Sequence, residues 1–374
     1  MKFRIALLLS GLCGYSLAFG STFCVTSVDE LTSALAAAQQ DQTASHEIRI
    51  HTGHYMTPAG GWRIDIDVRG ITIVGGYDNP DCTSQSSDAS LTVLDGHQSA
   101  RPLTIDTSFA FQQTPVARDI VIRGLTFANG SGDRAGGLKV SDAGPITTAN
   151  VLIERNIFRD NAATVYAQDN SGGALLVATD GPDFSGSVFL TVRGNLFSGN
   201  RAPDGAAALL FSNNSIDVSN NTVTANQSFD TSLSVRSTFT TFTLSGINYS
   251  NNIFWANNPD SLADTFDLRA DSTVRSNLAA DLFNNDLQAV HGTPRTDQDN
   301  RAVDPGFIDS TQGDFHVAKT SMMVDVGIDD PEGGVAPIDL DGTTRVLGAH
   351  VDIGAYESNP DTVFQDGFDG ASPF

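Results

Sequence analysis

Three charged residues, Arg123, Glu154 and Arg193, recur 31 and 39 residues apart in related segments: VIRGLTF, LIERNIF and TVRGNLF. Each follows an apolar residue (Ile122, Ile153, Val192), so if those three point inward the charges point out and stack as one column. Arginines in such a column can hold the carboxylates of an anionic polysaccharide, with Glu154 or Lys139 abstracting a proton. The alternative is a run of surface ion pairs, each contributing about 0–1 kcal/mol. Asp133-Arg134 and Arg159-Asp160 sit between repeated segments, where acids for calcium and a base could gather, or simply face water. His51 and His54, in HTGH, are two potential metal ligands without a third, and HExxH is absent. No G-x-S-x-G, P-loop or dinucleotide fingerprint occurs, and LDGH at 94–97 lacks the partners of a polygalacturonase site. Paired carboxylates for glycoside hydrolysis are not singled out by any spacing. The catalytic candidates are therefore Arg123, Lys139, Glu154 and Arg193.

The column requires an element that repeats. IVIRGLTFANG (120–130), VLIERNIFRDN (151–161), LTVRGNLFSGN (190–200), IDVSNNTVTAN (216–226) and INYSNNIFWAN (247–257) align without gaps. Self-similarity at a period of 20–50 residues marks a repeat architecture. Within each copy β-branched and aromatic residues alternate with polar ones, and Gly, Asn, Asp and Ser cluster between copies. Second short strands lie in GGLKV, GGALLV, AALLF and SLSVR, and no segment between copies has helical period. The pattern predicts an all-β, right-handed parallel β-helix. Stacked coils place like residues about 4.8 Å apart. The series Asn156, Asn195, Asn221, Asn252 and Asn161, Asn200, Asn226, Asn257 therefore reads as ladders at bends, with Asn tolerating the left-handed conformation a bend needs. Residues 260–303 show no alignable copy.

Ahead of the regular coils, EIRIHTGHYM, RIDIDVRGITIVGGY, SLTVLDG and RPLTIDTS read as less regular ones. VDELTSALAAAQQ (28–40) places Leu31, Leu35 and Ala38 at helical spacing behind Ser27 and Asp29, predicting a short helix that caps the open end. Residues 1–20 have the basic start, apolar run and small-residue end of a secretory signal peptide. No segment reaches the ~18 apolar residues of a membrane span. In an oxidising compartment the two remaining cysteines, Cys24 and Cys82, are expected to form a disulfide.

Residues 304–357 carry DPGFIDSTQGDFHVAKTSMMVDVG and PIDLDGTTRVLGAHVDIGAYE. This order of motifs, behind an opening CVTSVDELTSALAAAQ and GGYDNPDC, resembles the choice-of-anchor Q domain family of secreted bacterial β-helix proteins in the pectate-lyase-like superfamily. The resemblance covers most of 24–357 and implies a secreted or surface-exposed β-helix. Within it, Asp339, Asp341, Gly342 and Arg345 are expected to make a turn closed by a carboxylate–guanidinium pair, with Asp352 and Glu357, that fastens the last coil. Calcium held by Asp339 and Asp341 is the alternative, and the only cofactor the sequence suggests. The expected organisation is a signal peptide (1–20), cap (21–46), coils (47–303), closing region (304–357) and flexible tail (358–374).

The formal net charge is −23, moving to about −25 once Lys2 and Arg4 leave with the leader. Such a chain repels phosphate backbones and anionic lipid, so nucleic acid is excluded as a partner. The function expected is a monomeric, exported, non-enzymatic module binding an acidic polysaccharide or cell-surface glycan, adhesin-like. A polysaccharide lyase or hydrolase on the same fold is the alternative, and a groove bringing acid and base together on the Arg123 face would decide for it.

Overall fold

The structure is a computed structural model. It describes residues 19–41, 44–66, 70–107, 117–142, 148–164, 171–179, 187–212, 214–230, 236–243, 245–258, 265–269 and 280–358. The predicted leader (1–18 of it) and the tail beyond 358 lie outside these residues; the first strand begins at Phe19.

The chain forms the expected right-handed parallel β-helix. One ten-stranded sheet runs its length, from Phe19–Val25 through Ala117–Arg123, Thr148–Glu154 and Ser187–Arg193 to Thr296–Gln298, all neighbours parallel. A second sheet of eight short strands includes Thr126–Ala128, Ile157–Arg159, Leu196–Ser198, Thr222–Thr224 and Ile253–Trp255. A third, also of eight, includes Trp62–Asp65, Leu103–Thr107, Leu138–Asp142 and Leu175–Thr179. Like residues stack coil on coil: Ile122, Ile153 and Val192 share register and are sealed in the core. Phe127, Phe158 and Phe197 stack face to face at 5.0 and 4.8 Å, the coil spacing itself.

The corners are held by side chains. Asn195 Oδ1 accepts from the Asn156 backbone N–H at 2.8 Å, while its Nδ2 donates to the Ile153 carbonyl and to Asn221 Oδ1. The same pattern repeats from Asn156 to Asn300, so the ladder continues through Asn285 and Asn300 in the stretch where the sequence showed no alignable copy. A second ladder joins Asn161, Asn200, Asn226 and Asn257. The left-handed residue is not the ladder residue but the one before it: Gly124 (before Leu125, which stands in the ladder place), Arg155, Gly194, Asn220, Asn251, Asn284 and Asp299 all have φ between 51° and 66°.

The cap is as predicted. Helix α1 (Val28–Gln40) starts at Ser27, whose hydroxyl accepts from the Glu30 N–H, and buries Leu31, Ala34, Leu35 and Ala38. Trp62 Nε1 donates to Thr32 Oγ1 and ties the helix to the first coil of the third sheet. The Cys24–Cys82 disulfide forms, with Cα atoms 5.7 Å apart.

The closing residues 304–357 do not simply fasten the last coil. They fold back along the flank of the solenoid, over the outer face of the second sheet. Asn284 donates to Val326 O, Asn251 to Ile328 O, Arg193 to Gly333 O and Ser219 to Gly334 O; the Ala89 N–H reaches Leu340 O. The cause is apolar burial: the outward residues Ile157, Leu196 and Ile253 would otherwise face water, and Phe315, Leu340, Met323, Ile353, Ala355 and Tyr356 cover them.

Candidate functional site

The register brings Arg123, Glu154 and Arg193 into one column, since Glu154 pairs with Arg123 on one side and Arg193 on the other. The column is not open. Glu154 is only 3% exposed, and Arg193 Nε and Nη2 both lie 2.7 Å from its Oε1. Arg193 Nη1 donates to Gly333 O at 2.7 Å, so the folded-back strap closes over the pair. Glycine is required there: at Gly333 (φ 80°) a Cβ would stand 2.6 Å from Asp217 Cβ, and at Gly334 (φ 69°) 3.0 Å from Arg193 Nη1. Arg123 is the exception. Its side chain is 40% exposed, its one carboxylate neighbour among the described residues is Glu154 at 4.0 Å, and its guanidinium hydrogen-bonds to nothing there.

Arg155 follows Glu154 and turns into the same corner. It is 7% exposed, adopts φ 53°, and donates from Nη2 to the Ser87 carbonyl at 2.8 Å, while Nε is buried without a partner. Burial pushes its pKa down, Glu154 pulls it up, and Arg123 pushes it down again. The sequence marks this residue by contrast: the same position in neighbouring copies holds Gly124, Gly194, Asn220 and Asn251, and only here an arginine.

Lys139 lies elsewhere, on the third sheet. Its Nζ is 4.0 Å from Asp106 Oδ1, Asp106 also pairs with Arg63 at 2.8 Å, and Ser141 donates to the same carboxylate. Unequal coil lengths hide this from the sequence: Lys139 shares register with Thr104 and Leu176, not with the arginine column.

Asp339 and Asp341 are placed for closure. Asp339 is buried; its Oδ1 accepts the N–H groups of Asp341 and Thr343, and its Oδ2 that of Glu357. Asp341 instead reaches His316 Nε2 at 2.5 Å. Arg345, 2% exposed, donates to Gly354 O and lies 3.7 Å from Glu357. The network therefore joins 339–345 to 352–357 within the strap. Burial pushes Asp339 and Asp352 above the ordinary carboxylate range and Glu357 to about 7, and lowers Arg345. His316 is held between Asp341 and Asp314 and lies tilted against Tyr356, ring centroids 4.0 Å apart; the Asp341 bond first, then Asp314, raises it to about 9. Among the described residues no group of three or more His, Cys, Asp and Glu converges as a metal site. His54 pairs with Asp95 at 2.9 Å, and His51 contacts the Thr52 carbonyl.

Comparison of the chain with protein-family models, curated proteins and solved structures finds no match.

Proposed function

We propose that the chain is an exported β-helix module that binds a glycan or glycan-coated surface without transforming it. The observation that carries this reading is the state of Glu154. The one carboxylate on the arginine column is buried, committed to Arg193 and sealed under Gly333–Gly334, so no substrate proton comes within reach of it. A disulfide between Cys24 and Cys82 supports an oxidising destination, as does the leader-like start. The order of motifs in 304–357 is similar to the choice-of-anchor Q family, which supports a surface role.

The second reading, a polysaccharide lyase or hydrolase, draws on the third sheet. There Arg63, Asp106, Lys139 and Ser141 put a base, an acid and a cation on one outer face. One experiment separates the two. The purified protein is incubated with a panel of acidic and neutral polysaccharides, with and without calcium, and followed by ultraviolet absorbance for unsaturated uronate and by reducing-sugar release. Retained glycan with neither signal is the expected result. A signal that vanishes in Lys139→Met or Asp106→Asn moves the chain to the enzyme class.

A further inference from the structure

Among the described residues six arginines have an Nε sealed from water without a partner, and five of them are held through another nitrogen. Arg49 donates to Cys82 O and Glu47, Arg118 to Ile66 O, Arg155 to Ser87 O, Arg236 to Asp230 O and Arg345 to Gly354 O. Arg269 is the sixth. It is 7% exposed, yet no nitrogen of its guanidinium has a hydrogen bond or a carboxylate within ion-pair distance among the described residues. Asp267, two residues before it, gives its carboxylate to the N–H groups of Gln288 and Ala289 and to Asn257. A cation withdrawn from water without an acceptor works against folding, and a methionine would fill the place without that penalty. A structural role therefore does not account for Arg269.

Its place is fixed by register. Arg269 ends the strand Thr265–Arg269 and pairs with His291 of Val290–His291, the end strand of the third sheet away from the cap. Leu268 and Val290, the pair before them, pack on the core, so Arg269 and His291 share the outer face. Only Nε of Arg269 is sealed, which leaves its two Nη groups to the opening. Beside it the half-buried rings of His291 and Phe266 meet edge to face, centroids 5.0 Å apart.

We propose that Arg269 anchors an anion socket on the outer face of the third sheet, taking the oxyanion substituent of an acidic saccharide whose ring rests against His291 and Phe266. The proposal rests on the glycan-binding reading above and names the place and the chemistry of the ligand. The guanidinium supplies a planar fork already out of bulk water, where a charge-assisted bond is strong. The aromatic pair supplies the apolar surface that a sugar has and a bare anion lacks. A uronate carboxylate and a sulfate ester share this recognition.

The test is titration calorimetry of the full chain with trigalacturonate, a sulfated galactose disaccharide, the neutral parent sugars and sodium sulfate. Wild type is compared with Arg269→Met and Arg269→Gln, and the melting temperature of each is taken without ligand. The expected result is binding of one acidic saccharide that weakens about tenfold or more in each variant, the loss of one charge-assisted contact. The unliganded variants are expected to melt at the wild-type temperature or above it, because an unpaired buried charge has been removed. The saccharide that binds identifies the substituent. Equal affinity in the three proteins overturns the socket while the glycan-binding reading stands, as does wild-type binding of neutral sugars alone. Lower melting temperatures in both unliganded variants would give Arg269 a structural role and overturn the socket as well. Sulfate ion bound as tightly as the saccharide overturns the sugar contact, and no binding of any saccharide overturns both readings.

Discussion

Replacing Asn195 with alanine tests the forces that hold the coils in register. The side chain is fully buried and makes five contacts: Oδ1 accepts from Asn156 N and Nδ2, and Nδ2 donates to Ile153 O, Arg193 O and Asn221 Oδ1. Alanine leaves the Asn156 N–H without an acceptor in a dry interior, about 1–3 kcal/mol. The remaining contacts share two N–H groups and one oxygen, and their loss adds about 2 kcal/mol at the usual net worth of a neutral hydrogen bond. Asn195→Ala is therefore expected to destabilise by about 4 kcal/mol, a large share of the roughly 5–15 kcal/mol that holds an ordinary domain folded. Asn300→Ala provides the control. It makes equivalent bonds to Asn285 and Leu282 O, but at the end of the ladder, where water can replace them, so about 1 kcal/mol is expected. Urea unfolding followed by circular dichroism gives both values. Equal costs for the two variants, or a cost below about 1 kcal/mol at Asn195, would refute the view that buried side-chain ladders set the register.

Stability should fall on the alkaline side. Asp341 and Asp314 raise His316 to about 9 and burial raises Glu357 and Asp286 to about 7, so each binds its proton more tightly folded than unfolded; their contribution is complete below their ordinary values and is lost as pH rises through 7 and then 9. A melting temperature that does not decline between pH 6.5 and 9.5, or declines equally in His316→Gln, would contradict this. On the acid side the Arg295 bond holds Asp281 below its ordinary value, and its contribution is lost as pH falls. Glu154→Gln leaves Arg193 largely buried without its carboxylate, at about 2–3 kcal/mol, and should make the strap near Gly333 a site of limited proteolysis; continued protection would count against the strap being fastened there. Reducing the Cys24–Cys82 bridge, which spans 58 residues, should cost up to about 4 kcal/mol by loop-closure entropy, measured as a shift in urea midpoint between oxidised and reduced protein. Phe158→Ala, in the middle of the aromatic stack, should cost about 3–5 kcal/mol in the same assay.

The coils were legible because each one repeats the same solution, and a residue such as Phe158 is marked by Phe127 and Phe197 above and below it. The cap helix was legible for a local reason, its N-cap and its Leu31–Leu35–Ala38 stripe. The strap was not. Its residues follow no period, and their partners, Ile157, Leu196 and Ile253, look like surface positions to any reading that sends alternate residues to solvent. That those outward positions were apolar was the available sign. The arginine column could be read because Arg123, Glu154 and Arg193 hold the same place in their copies; its burial could not, since that depends on Gly333 and Gly334, 140 residues from Arg193 in the case of the first. Arg155 was legible only by contrast with the Gly and Asn that replace it in neighbouring copies. Asn285 and Asn300 are not marked by the period because the last coil is short, 15 residues between the two.

The strap touches the solenoid at fixed heights: Asn284 and Asn251 by Val326 and Ile328, Arg193 and Ser219 by Gly333 and Gly334, and Ala89 by Leu340. Repeat chains usually gain and lose units freely, because each unit contacts only its neighbours. Here a duplicated or deleted coil would move every later anchor by about 4.8 Å relative to the earlier ones. The apolar strap residues would then meet the wrong rungs, and Gly333 would no longer lie over Asp217. The strap is thus a ruler for the number of coils, and it holds the length of this protein constant against the ease with which repeats are copied.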